Sequence, residues 1–148
     1  MDYRTCNGEP SGNCSPECKY FHVGRDAYFC NKKEVAYTIP ERLEGLNEYT
    51  AMNRYSRYSG GRDKKKNTDL CCFYTPKVEA ETPCEIIFTW YGDMRRDPDN
   101  IAFAKKFILD AAVIRGVLPD DSFKYIHKIE DNFIKSTENK VEIRIIKE

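Results

Sequence analysis

Long apolar runs, net charge and histidine are what this sequence lacks. No stretch of its 148 residues approaches the roughly 18 consecutive apolar residues of a membrane span, and its N-terminal residues carry no apolar signal-peptide region. A soluble, cytoplasmic protein with no membrane partner is therefore expected. The 24 Lys+Arg and 24 Asp+Glu cancel to a formal charge of zero. That excludes a histone-like polycation but leaves room for a local basic patch. Only two histidines are present, His22 among cysteines and His127 in a predicted strand, so Ser-His-Asp catalysis is disfavoured. No Gly-rich phosphate loop is present, which disfavours nucleotide hydrolysis. There is no internal repeat and no low-complexity tract.

What is there fits one folded domain with an appendage. Hydrophobic residues make up 41% and charged residues 32%, enough apolar material for one core. The seven cysteines are placed unevenly. Cys6, Cys14, Cys18 and Cys30 lie near the start, Cys71, Cys72 and Cys84 lie mid-chain, and none follows. Cytosolic disulfides are rare, so metal binding or plain burial comes first.

Residues 1–34 have glycines, prolines and few aliphatic residues, and need a metal staple to fold alone. Cys6-x7-Cys14-x3-Cys18-x3-His22 offers four ligands of the kind Zn²⁺ takes, with Cys30 a rival to His22. The segment is similar to a CCCH-type zinc finger with a shortened middle spacing. Cys71, Cys72 and Cys84 sit in apolar runs and read as core thiols.

Residues 35–148 read as an α+β (mixed α/β) domain. Val35–Pro40 is a short strand, and Asn47 is the N-cap of a helix running toward Tyr55. Ser59-Gly60-Gly61 reads as a break. Around it lie Arg54, Arg57, Arg62, Lys64, Lys65 and Lys66, either a phosphate-binding cluster or a solvated loop. Leu70–Tyr74 is a short apolar run, and Cys84–Trp90 is a strand. Asp97-Pro98 opens a helix with one apolar face that closes at Gly116. Phe123–Ile129 and Lys140–Lys147 are the last strands, joined through residues 132–139. The predicted order is strand, helix, strand, helix, strand, strand.

Asp97, Asp99, Asp120 and Asp121 stand in telling places. Acids at a helix start favour the dipole and cap free N–H groups, and Pro-Asp-Asp is an ordinary turn. The same carboxylates suit Mg²⁺, which takes oxygen ligands and can activate water against a phosphodiester. Lys106 lies two helical turns beyond Asp99 and faces the same way, with Lys105 as its competitor. The helix between Asp97 and Asp121 would be about 25 Å long. Asp121 must therefore double back to the acidic pair or meet that of a second subunit.

The run Arg95-Arg96-Asp97-Pro98-Asp99-Asn100, the helix carrying Asp110-Ala111, and Gly116-Val117-Leu118-Pro119-Asp120-Asp121 together resemble the RusA family of Holliday junction resolvases. Ile39-Pro40-x-Arg42-Leu43-x-Gly45-Leu46-Asn47 is similar to that family's first strand and turn. The resemblance spans about residues 37–148. It implies a small, dimeric, Mg²⁺-dependent endonuclease of bacterial or prophage origin, acting on four-way DNA in recombination and repair. Asp97, Asp99 and Asp121 match the metal-binding aspartates. Lys106, counted back from Asp110, matches the essential lysine, whereas counting forward from Asp99 reaches Phe103. Arg95 and Arg96 match phosphate-contacting residues, and the Arg54–Lys66 cluster would hold the DNA backbone. Two opposed cuts on a two-fold junction suit a homodimer. The alternatives are a zinc-finger nucleic-acid-binding module without nuclease activity, and a nuclease for another branch or flap.

Overall fold

A computed structural model describes residues 21–23, 28–30, 34–55 and 57–148. Two short strands, β1 (Phe21–Val23) and β2 (Tyr28–Cys30), pair antiparallel ahead of the main body. The body runs β3 (Glu34–Ile39), α1 (Leu46–Tyr55), α2 (Arg57–Tyr74), β4 (Cys84–Gly92), α3 (Pro98–Ala102), α4 (Lys105–Ile114), β5 (Ile126–Lys135) and β6 (Lys140–Lys147). The architecture is mixed α+β, as composition and periodicity predict.

Alternation builds the sheet. β4 buries Cys84, Ile86, Phe88 and Trp90, β6 buries Val141, Ile143 and Ile145, and β3 buries Val35 and Ile39. The strand order is β3-β6-β4-β5. β6 runs antiparallel to both its neighbours and sets Ile143 beside Phe88 and Ile145 beside Ile86. β4 and β5 are parallel, and parallel strands need a crossover, which α3 and α4 supply. Phe107, Ile108, Ala111 and Ala112 of α4 and Cys71 of α2 complete the core. Each large side chain fully removed from water there contributes about 1.5–3 kcal/mol.

α4 stops as the sequence predicts. Gly116 has φ +80°, its N–H donates to the Val113 carbonyl (3.1 Å), and the Val117 N–H donates to that of Ala112 (2.8 Å). This is a Schellman closure, and it needs a residue free to adopt left-handed φ.

Several predictions of local structure differ from what is found. Gly60 and Gly61 lie inside α2 rather than in a loop. The helix is anchored downstream, where Asn67, Thr68 and Cys71 are buried, and that packing outweighs the helix cost of about 1 kcal/mol per glycine. The predicted helix after Asp97 divides. Ala104 and Phe107 donate to carbonyls three residues back (3.3 and 3.0 Å), a 3₁₀ step between α3 and α4. Phe103 in that step packs on Tyr49 of α1, ring centroids 5.3 Å apart. The strand predicted from Phe123 begins instead at Ile126, because the Tyr125 and Ile126 N–H groups turn back onto the Ser122 carbonyl (both 3.0 Å). Finally, α1 begins at Leu46, so Asn47 lies in the first turn rather than at the cap.

That first turn is satisfied from afar. The Asn47 N–H donates to Oδ1 of buried Asn100 (2.9 Å), which ties the turn after β3 to the Asp-Pro-Asp-Asn segment. Gly45 permits the approach. A β-carbon there would strike the Asn100 side-chain oxygen and stand 2.8 Å from its carbonyl oxygen. Gly45→Ala is expected to cost about 2 kcal/mol through overpacking and the disturbed bond. Urea denaturation measures this, and a loss below about 0.5 kcal/mol would contradict so close a packing.

The mid-chain cysteines behave as core thiols. Cys71 and Cys84 are fully buried, and Cys72 is half-buried. Burial pushes the Cys71 thiol up to about 12 and that of Cys84 to about 11. Alkylation of the native protein at pH 8 is expected to spare both and to label them once the chain is denatured. Mass spectrometry reads the outcome, and native labelling at the rate of a free thiol would contradict it.

Candidate active site

The carboxyl ends of β4 and β5 and the start of α3 meet around Gly92. The connection from β5 to β6 crosses there, with the Ser136 N–H donating to the Gly92 carbonyl (2.7 Å). From β4 the chain passes through Met94, at φ 60°, an uncommon value for a bulky residue, and reaches Arg95 and Arg96.

Asp97 is the N-cap residue of α3, with an extended backbone (φ −65°, ψ 151°) and Pro98 following. Its carbonyl accepts from the Ile101 N–H (3.0 Å), yet its carboxylate makes no capping bond. Asp99, in the first turn, is also exposed. Among the described residues neither carboxylate has a hydrogen bond or ion pair. Asp97 therefore does not cap the free N–H groups of α3 with its side chain. Both groups therefore have free lone pairs, and carboxylate oxygens are the donor type that Mg²⁺ takes.

The flanking arginines differ. Arg95 is largely exposed, its guanidinium 3.7 Å from Asp93. Arg96 turns inward, donates to the Leu43 carbonyl (3.1 Å) and lies 3.7 Å from Glu48. Arg42, in the turn after β3, is bound to the same Glu48 through two N–H groups (2.7 and 3.4 Å). Burial, then the Arg42 charge, hold Arg96 below the usual guanidinium value. The bond from Arg42 holds Glu48 below the usual carboxylate range.

The two lysines part company. Lys105 reaches Asp131 of β5 (2.5 Å), whose other oxygen accepts from Trp90 Nε1 (2.9 Å). Lys106 is exposed. The 3₁₀ step interrupts the helix between Asp99 and Lys106, so the two-turn count that put them on one face does not apply. The predicted strand ends at Ile129, whereas β5 runs on to Lys135 and carries Asp131 to Lys105 and Trp90.

Asp121 lies elsewhere. With Asp120 it lines an open groove of about 580 Å³ beside α2 and the end of α4, along with Lys64, Thr68 and Asp110. Among the described residues no three carboxylate, histidine or cysteine side chains gather as a metal group. Asp97 and Asp99 lie two residues apart at the start of α3, and Asp121, on the groove beside α2 and α4, forms no three-residue metal group with them within one chain.

Of the basic cluster, Arg54, Arg62, Lys65 and Lys66 are exposed, while Arg57 opens α2. Lys64 lies 3.7 Å from Asp110, and Lys65 pairs with Asp69 at 3.0 Å. Surface pairs of this kind hold a lysine by about 1 kcal/mol or less, so neither side chain is firmly held. His127 is exposed on β5 and paired with Glu148. Cys6, Cys14 and Cys18 lie outside the described residues. His22 and Cys30 fall on β1 and β2, with His22 opposite Phe29 and Cys30 opposite Phe21 in the backbone register. No helix among the described residues is long and apolar enough to cross a membrane.

No protein-family model matches the chain, and no curated protein is significantly similar to it.

Proposed function

We propose that this chain is a Mg²⁺-dependent endonuclease that resolves four-way DNA junctions as a homodimer. The observation that carries the reading is the pair of carboxylates, Asp97 and Asp99, left uncapped at a helix start beside two arginines. The resemblance of the Arg-Arg-Asp-Pro-Asp-Asn and Leu-Pro-Asp-Asp segments to the RusA resolvases supplies the substrate. Asp97 and Asp99 would hold the Mg²⁺, which when bound supplies an activated water and charge stabilisation at phosphorus. Arg95 and Arg96 orient the phosphodiester, and Arg54, Arg57, Arg62, Lys64, Lys65 and Lys66 hold the DNA arms. Lys106, exposed and near the start of α4, is the candidate to neutralise a phosphate oxygen.

Because Asp121 sits apart from the pair, we assign the third carboxylate to the partner protomer. Each active site then takes Asp97 and Asp99 from one copy and Asp121 from the other. Such a dimer places two sites about a two-fold axis, matching the symmetry of a four-way junction. The Cys-rich segment would bind a structural Zn²⁺ through Cys6, Cys14, Cys18 and either His22 or Cys30.

Scattered carboxylates within one chain also suit a zinc-dependent nucleic-acid-binding module that does not cut. Incubation of a synthetic junction, a flap and a linear duplex with Mg²⁺, and again with EDTA, separates the readings. Metal-dependent nicking of the junction in preference to the others supports the resolvase. Preference for the flap moves the assignment to another branched substrate. Tight junction binding without cutting in Mg²⁺ or Mn²⁺ supports the binding module.

A further inference from the structure

A small pocket of about 190 Å³ opens between the turn after β3 and the carboxyl end of β4, lined by Arg42, Tyr91, Arg95, Arg96 and Asn139 among others. We propose that this pocket is a subsite for a single phosphate group, in which Arg42 is a phosphate-binding residue. The inference rests on the nuclease reading for its substrate, a DNA phosphodiester next to the one that is cut, but its chemistry is independent of that reading.

Three observations carry it. The lining has three guanidinium groups and one carboxylate, Asp93. Glu48, behind the arginines, is shared between Arg42 and Arg96, and Glu44 also acts on Arg42, so the excess of positive charge is that of the pocket lining itself. Donors also remain. A guanidinium has five N–H groups. Arg42 directs two N–H groups to Glu48, and Arg96 directs one to the Leu43 carbonyl. The remainder can form the charge-assisted, two-point bonds that guanidinium makes with phosphate oxygens. Size then selects the ligand. Pockets for drug-sized molecules run from about 300 Å³ upward, so this one suits a phosphate and its ester oxygens rather than a nucleoside.

Arg96 directly precedes Asp97, so a phosphate here places the next stretch of backbone toward the Asp97–Asp99 pair.

Two variants separate binding from a structural role. Arg42→Gln and Glu48→Gln both break the Arg42–Glu48 ion pair. Only the first removes a phosphate contact. Junction affinity of the full chain is measured in Ca²⁺ over a series of salt concentrations. Arg42→Gln is expected to bind about tenfold more weakly, the scale of one charged contact, and its slope of log K against log salt should be shallower by about 0.9. Glu48→Gln should bind as well as wild type or better, with its slope unchanged. Equal weakening of the two variants would overturn the assignment, and so would an unchanged slope in Arg42→Gln. A second arm titrates inorganic phosphate into the DNA-free protein and follows the Arg42 and Arg96 side-chain N–H signals by NMR. Saturable shifts at both, in a chain that binds no DNA, would keep the phosphate site and remove the nuclease reading. Junction binding that Arg42→Gln leaves intact would keep the nuclease reading and remove the subsite. No shift and no DNA binding would remove both.

Discussion

Asp99→Asn is expected to lower the rate of junction cleavage in Mg²⁺ by more than about a hundredfold while leaving junction binding in Ca²⁺ within a few-fold of wild type. Groups that merely support a metal ligand cost ten- to a hundredfold when removed, so loss of a ligand itself should exceed that range. The amide keeps the size of the side chain but presents a neutral oxygen in place of a charged one. Asp99 is exposed and without a partner among the described residues, so the fold has little reason to suffer. An unchanged urea midpoint should accompany the lost activity. Cleavage within about threefold of wild type would demote the pair to the dipole-favouring acids found at many helix starts.

The second large effect concerns which copy supplies Asp121. Asp99→Asn and Asp121→Asn should each be inactive alone. Mixed in equal amounts and allowed to exchange subunits, they should regain nicking. In a mixed dimer one site collects both substitutions, while the other joins an intact Asp97–Asp99 pair to an intact Asp121. Half of the dimers are mixed, so about a quarter of the sites should be intact. The product should be single nicks rather than paired cuts, because only one site per dimer works. If Asp121 acted within its own chain, every site in the mixture would carry one substitution, and no activity would return. The location of Asp121 in the α2–α4 groove, away from Asp97 and Asp99, is the reason to expect the first result.

Much of this molecule was legible in its sequence, for identifiable reasons. Val141, Ile143 and Ile145 alternate without interruption, and their strand has the predicted ends. Gly116 closes α4 because the position demands a left-handed φ. Errors arose where local propensity and distant packing disagree. Gly60 and Gly61 read as a break because their anchor is several residues downstream, at Asn67, Thr68 and Cys71. The division between α3 and α4 falls at Phe103, which packs on Tyr49, a contact across the chain that periodicity does not encode. At the site, residue types were legible and company was not. Asp97 and Asp99 are neighbours in sequence and could be paired on paper. That Arg42 shares Glu48 with Arg96, and that Lys105 turns to Asp131, required the β3 turn and β5 to be placed. Asn100 is the instructive intermediate. Its capping of Asn47 gives a physical reason for Gly45 and Asn100 to occur together, two features that the sequence offered as separate motifs.

Paired, two-fold cutting of a four-way junction is read out by a supercoiled plasmid bearing an extruded cruciform. One nick relaxes the plasmid and reabsorbs the cruciform, so linear product forms only if both strands are cut within one binding event. The dimer with two complete sites predicts linear plasmid as the main early product in Mg²⁺, with its two cuts at symmetric positions across the junction. Nicked circles alone, or cuts scattered without regard to the cruciform, would contradict it.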